Sequence, residues 1–254
     1  MMNKLYWSGG ANFGDALSPV LYKLITGFEP ISVNEHQSPK HVAIGSILNH
    51  AKPGDTVWGS GLAWRYDKVS QGINIKAVRG PLSRDICLRN GVDCPEIYGD
   101  PAMLLPRFFE KSETQYKLGI IPHIVDFKLV NIPAQYKNDV LKIDLTQSID
   151  ECIKNITSCD KIVSSSLHGL IAADAYNIPN TWCRFSNGVL GDGTKFADHF
   201  LAIGKRDMKC IDLSRNNTKK YSFDDIINHI NDCDVSKYTD IQGDELLNAC
   251  PFEY

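Results

Sequence analysis

No two of the eight cysteines, at 87, 94, 152, 159, 183, 210, 233 and 250, stand in a Cys-x-x-Cys pair. Zinc ribbons and thioredoxin-like redox motifs need that spacing, so neither is signalled. No stretch approaches 18 apolar residues, which speaks against a helical membrane span. The N-terminal MMNKLYWSGG lacks the apolar centre of a signal peptide and reads as a strand and a turn. Long basic runs are missing as well. Only the Thr-Lys-Lys of 218–220 breaks the mixture of charges, and it reads as a solvated turn. With a formal net charge of -3, the chain carries no footprint for nucleic acid as a main partner, although a local anion site is compatible with it. These absences predict a reduced, cytoplasmic protein. No carboxylate cluster asks for a metal, and no cofactor is expected.

What is present is ample material for a core: 43% of the 254 residues are hydrophobic against 22% charged, outside the range of disordered chains. Short β-like runs alternate with helical patterns. KLYWS precedes DALSPVLYKLITG, where Leu17, Val20, Leu21, Leu24 and Ile25 share one helical face and Gly27 follows as a C-cap. HVAIGS, DTVWGSG and IKAVRG read as strands, then PLSRDICLRNG as a helix with Pro81 in its first turn and Gly91 past its end. Cys87 and Cys152 fall inside apolar helical patterns, where a thiol acts as a small hydrophobe. The charged RFFEKSETQY (107–116) interrupts the rhythm, and KLGIIPH, VLKIDL, KIVSSS, TWCRF and KCIDL resume it with helices between them. Alternation of this kind predicts parallel sheets covered by helices on both faces. The expected class is therefore α/β with two Rossmann-like domains. Residues 1–113 form the first and 114–254 the second with a helical tail, the active site lying in the cleft between domains.

Ligands of open parallel sheets bind beyond the carboxyl ends of the strands. Those ends carry SGGANFGD (8–15), GSG (59–61), VRGPLS (78–83), GDPAM (99–103), PHIVD (122–126) and SSSLHG (164–169). Gly14 and Gly61 let backbone approach a ligand there, or simply serve tight turns. Arg79 ends an apolar run just before a Gly-Pro helix start. It either forks onto a carboxylate or phosphate, or pairs with a neighbouring aspartate such as Asp100. Ser165, Ser166 and Leu167 lead into a helix, which makes a serine cap or an anion site at free N–H groups. His168 in that first turn is a packed structural histidine or, with an anion beside it, a phosphate binder or proton carrier. Asn12, Asp15 and His123 are candidate contacts to a sugar or a phosphate, with capping by Asp15 as the alternative.

Taken in order, NFGDALSP, the RGPLS run with Arg79, GDPAMLLP, PHIVD and SSLHGLIAADAYNIP resemble the polysaccharide pyruvyltransferase family, over residues 9 to 185. The resemblance implies a GT-B-like fold. It also implies an enzyme that moves the enolpyruvyl unit of phosphoenolpyruvate onto a sugar, forming a pyruvate ketal and releasing phosphate. Its partners would be that donor and a sugar or lipid-linked oligosaccharide acceptor, the latter bringing peripheral contact with the inner face of the membrane. The family's donor-binding arginine corresponds to Arg79, and its Arg-Leu-His motif corresponds to Ser166-Leu167-His168, so serine stands where arginine is common. Arg184 or Arg65 are the candidates to supply that charge. Two rivals remain: a nucleotide-sugar glycosyltransferase on the same fold, for which Asp174 is the nearest acid, and an idle sugar- or phosphate-binding protein.

Overall fold

Strand β1 (Lys4–Tyr6) is flanked by β2 (Ile31–Ser32) and β3 (His41–Val42), and β4 (Thr56–Trp58) and β5 (Asn74–Ala77) extend the sheet to the order β2-β1-β3-β4-β5, all parallel. The computed structural model describes residues 3–10, 12–206, 208–214, 222–231 and 239–252; the basic run at 218–220 and Cys233 lie outside them. Val42 lies opposite Val57, and Val57 opposite Ile75, so apolar residues stand in rows across the sheet. Together with Leu48, Leu62, Val78, Ile86 and Cys87 they form one core cluster. Two helices follow the strands, α1 (Phe13–Thr26) and α2 (Pro81–Arg89). The buried face of α1 runs through Phe13, Leu17, Leu21 and Ile25; Leu24, expected on it, is 42% exposed because the stripe is centred toward Ser18 and Tyr22.

A second parallel sheet is built from β6 (Leu118–Ile121), β7 (Val140–Lys142), β8 (Ile162–Ser164) and β9 (Asn180–Arg184), with helices α3 (Ile149–Thr157) and α4 (Leu167–Ala175). After it come α5 (Thr194–Ala202), β10 (Ile211–Asp212), α6 (Phe223–Asn231) and α7 (Asp240–Asn248). The sheet order is β10-β9-β8-β6-β7. Read from β7, both sheets therefore place their strands as second, first, third, fourth, fifth. In that doubly wound order the crevice for ligands opens between the first and third strands. Those places are the ends of β1 and β3 in one sheet, and of β6 and β8 in the other.

The chain divides into two units. One comprises the described residues of Met1–Leu104, Gly191–Gly204 and Tyr238–Tyr254; the other, those of Leu105–Leu190 and Lys205–Lys237. In the first unit α7 starts with a capping box from Thr239 and Gln242, and the Trp58 indole N–H donates to Leu246 O at 2.8 Å. Phe252 stacks against Tyr22, His41 and Trp58. Cys87 and Cys152 are fully buried, and burial pushes the Cys152 thiol up to about 12. Neither thiol is poised to react.

Candidate functional site

In the first unit, Asn12 holds the start of α1. Its backbone is extended and its side chain accepts from the Asp15 N–H at 3.2 Å. The cap is thus Asn12 and not Asp15, which lies in the first turn and accepts from the Asn12 amide. Both residue types cap well; the point where β1 releases the chain decides between them. Gly14, the second residue of α1, is buried.

Arg79 follows β5 and is wholly buried. Its Nε and Nη2 donate to Asp198 Oδ2 at 3.1 and 3.0 Å, its Nη1 to Ser46 Oγ at 2.7 Å, and its Nη2 also to Leu62 O at 2.6 Å. Asp198 in turn accepts from the Ser83 N–H at 2.9 Å and the Ser83 hydroxyl at 2.6 Å. The aspartate partner expected for Arg79 is present, but it comes from α5 and not from Asp100. Asp100 instead accepts from the Ala102 N–H at 3.0 Å and shapes the turn after Gly99. Two glycines make this corner possible. A Cβ on Gly61 would stand 2.4 Å from the Arg79 guanidinium carbon, and one on Gly80 would stand 2.0 Å from Asp198 O. Gly80→Ala is therefore expected to push α5 away and to cost about 1–3 kcal/mol, as overpacking does. Thermal unfolding checks it: an unchanged melting point would mean that α5 does not lie against Gly80.

In the second unit, the loops after β6 and β8 are tied together at the switch point. The Ser165 N–H donates to Ile121 O at 3.1 Å, and the His123 N–H donates to Ser165 Oγ at 2.8 Å. The Ser165 hydroxyl donates to Asp126 Oδ2 at 2.9 Å, while the Ser186 hydroxyl donates to Asp126 Oδ1. Asp126 is fully buried and braces three segments at once. The Val125 N–H donates to His123 Nδ1 at 3.4 Å.

The serine cluster does not cap α4 through its side chain. Ser166 occupies the N-cap position with an extended backbone, yet its hydroxyl makes no capping bond. Ser164 Oγ accepts the Ser166 N–H at 2.9 Å and donates toward Ile121 O and Ser166 O, each at 2.9 Å. Leu167 is buried at the first helical position, His168 follows half-buried, and Gly169 lets the helix approach β6 and β8, since a Cβ there would sit 2.6 Å from Ser164 Oγ. The helix thus starts at the strand ends without a cap from the Ser166 side chain, as anion-binding helix starts do.

Of the other cations named from the sequence, Arg184 pairs with Asp212 across β9 and β10, which holds the Asp212 carboxyl down to about 2. Arg65 lies on the exposed loop after β4, its guanidinium 5.8 Å from the Tyr66 ring centroid. Asp174, the acid a ribose would need, is buried in α4, 2.6 Å from Lys205 Nζ and 2.7 Å from the Asn180 amide. Asp126 was visible only as the last letter of PHIVD. Ser46, Ser186 and Asp198 carried no local signal at all, because their partners lie tens of residues away.

Two doubly wound parallel sheets, each with a polar helix start at its crevice, define a mixed α/β protein of Rossmann-like units. The chain belongs to the polysaccharide pyruvyl transferase family, whose model matches residues 42–187. That span contains Arg79, His123, the serine cluster, His168 and Arg184, but neither Asn12 nor α5. Similar proteins include an uncharacterized protein, L143, of Acanthamoeba polyphaga mimivirus, 31% identical over 229 residues, or 85% of this chain and 76% of that one. Another is the succinoglycan biosynthesis protein ExoV of Rhizobium meliloti (strain 1021), 32% identical over 217 residues. The match takes in 80% of this chain and 65% of ExoV, just under two thirds of that relative. No solved structure matches the chain significantly.

Proposed function

We propose that this protein transfers the enolpyruvyl unit of phosphoenolpyruvate to a sugar of a polysaccharide or its lipid-linked precursor. The observation that carries the reading is the start of α4, where a helix end that the Ser166 side chain does not cap, His168 and the His123 loop come to the switch point of a sheet in a chain of this family. Phosphoenolpyruvate bears a carboxylate and a phosphate on three carbons, and a site for it needs convergent N–H donors. In the reaction, a proton adds to the methylene carbon and a sugar hydroxyl adds to C2, its own proton leaving. A second hydroxyl then displaces inorganic phosphate from C2 and closes the ketal. His168 is the residue we assign to the donor phosphate and to proton transfer. Ser165, Ser166 and Leu167 contribute backbone, and His123, Asn12 and Asp15 contribute contacts to the acceptor. Two parallel five-stranded sheets also suit a GT-B-like enzyme.

A nucleotide-sugar donor is disfavoured because Asp174 is held by Lys205 and Asn180. Thermal shift separates the donors. At a hundredfold excess over its dissociation constant, a ligand specific to the native state adds about 2.7 kcal/mol. For a chain of this size that is a rise of roughly 5–11 °C. Phosphoenolpyruvate with a chelator should give a shift of that order, and uridine or guanosine diphosphate much less. The reverse ranking would overturn the pyruvyltransferase reading in favour of a glycosyltransferase. Phosphate release on adding an acceptor then tests the transfer itself.

A further inference from the structure

The turn after β4 carries two large aromatic rings into solvent. Trp64 is 42% exposed and Tyr66 81%, with Arg65 between them. The other tryptophans sit deeper: Trp58 is buried, and Trp7 and Trp182 are half-buried. Solvent turns are ordinarily built from glycine, asparagine, aspartate and serine. A single exposed ring needs no explanation, but two on one turn mark a surface that something covers.

The backbone beneath the rings is fixed. The Asp67 carboxylate accepts the N–H groups of Ala63 and Trp64 at 3.2 and 3.0 Å, and the Asp67 N–H closes the turn onto Trp64 O at 3.2 Å. The Arg65 N–H donates to Asp192 Oδ2 at 3.2 Å, just ahead of α5. Upstream, the Leu62 N–H donates to Ser83 Oγ on α2 at 3.3 Å, and Leu62 O is the carbonyl that Arg79 holds. Each N–H from Leu62 to Arg65 therefore has an acceptor. The rings are held at the carboxyl end of β4, the side of a parallel sheet where ligands bind.

Size and surroundings say what such a pair fits. Two rings exposed to this degree offer roughly 200–300 Å². A stable protein interface takes about 800 Å² from each partner, so the pair is too small for one. Arg65, Asp67 and Lys68 interleave with the rings, and the Arg65 guanidinium lies 5.8 Å from the Tyr66 centroid, which makes a poor seat for an acyl chain. A sugar ring is the complement. Its C–H face is slightly positive and meets the negative face of an aromatic ring. Its hydroxyls, spread around the edge, suit a charged rim.

We propose that Trp64 and Tyr66 form the platform on which sugar rings of the acceptor stack, with Arg65 donating to hydroxyls at the edge. This assignment rests on the reading of a sugar as acceptor. Because the turn is already rigid, stacking orders little further backbone.

Saturation-transfer nuclear magnetic resonance on the full chain, without donor, tests it. The probes are methyl β-glucoside and methyl β-galactoside, with sorbitol as the open-chain control. Saturating the aromatic protons should transfer to the ring C–H protons of the glycosides and not to sorbitol. Trp64→Leu and Tyr66→Leu keep apolar bulk and remove the ring; each should weaken glycoside binding about 2- to 12-fold, the worth of an aromatic contact beyond its area. Tyr66→Phe should stay near wild type. Tyr66 is mostly exposed, so its variants fold even where Trp64→Leu does not. No transfer to either glycoside in wild type overturns the proposal, as does undiminished binding in either leucine variant. In turnover, the leucine variants should raise the acceptor's KM and leave that for phosphoenolpyruvate unchanged. A loss shared by both substrates makes the turn structural and overturns the platform. The two readings fail separately. Wild type that binds the glycosides yet never releases phosphate from phosphoenolpyruvate with any acceptor defeats the transferase and leaves the platform. Turnover with a wild-type acceptor KM in both leucine variants defeats the platform alone.

Discussion

Asp198→Ala is expected to lower the melting temperature by roughly 6–20 °C. The change leaves the wholly buried Arg79 guanidinium with only Ser46 and Leu62 O, and deprives the Ser83 hydroxyl and N–H of their acceptor. Removing one partner of a buried ion pair costs about 3–5 kcal/mol, because the remaining charge is stranded in a medium that solvates it poorly. For a chain of this size each kcal/mol moves the midpoint by roughly 2–4 °C. The converse experiment is as informative. Replacing both partners, Arg79→Met with Asp198→Leu, should recover much of the loss, since an apolar pair of similar volume has no charge to strand. A midpoint unchanged in Asp198→Ala would show that the pair is not closed in solution. Arg79→Lys then separates positioning from donor binding: it loses the planar fork in either case. If turnover falls while the midpoint holds, the guanidinium serves the donor; if both fall together, it serves the fold.

His168→Ala should reduce turnover by about 10²–10⁴ while the circular dichroism spectrum and melting point stay near wild type. That range is what a positioned proton-transfer group contributes. The argument is positional. His168 is the second residue of α4, at the end of β8 and beside the loop after β6. An anion held at this helix start would meet the ring as well as the first-turn N–H groups. Saturating phosphoenolpyruvate should not restore the rate, because the missing step follows binding. Unchanged turnover in a folded His168→Ala protein would make the ring a packing residue.

The strand and helix rhythm was legible because each buried parallel strand shows as a short apolar run closed by glycine, proline or serine. IKAVRG and KIVSSS were read that way, and β5 and β8 stand there. EIYGDPAMLLP was harder. It gives a single bridge from Tyr98 to Val78 and then a 3-10 helix over Pro101–Arg107, since Pro101 and Pro106 lack the N–H a ladder needs. The serine cluster was read as a cap or an anion site. The structure puts Ser166 in the capping position, and Ser164 turns its hydroxyl back onto the loop instead. What no local pattern could reveal is the company Arg79 keeps. Asp198 lies 119 positions later, on a helix whose apolar residues, Phe196 and Phe200, announce a buried face without saying against what.

That separation bears on how the protein is made. The first sheet is complete once residue 77 has been synthesised, but its buried arginine has no carboxylate until residue 198 emerges, and Trp58 has no acceptor until Leu246 does. The second sheet's core strands β6 to β9, by contrast, come from one unbroken stretch, 118–184. On the ribosome, where domains ordinarily fold in order from the N-terminus, these contacts would let the second sheet close before the first unit is completed. The segment translated first would wait, its buried arginine uncompensated, until α5 is made. A polypeptide released early, anywhere before α5, would carry that charge into a core unable to hold it.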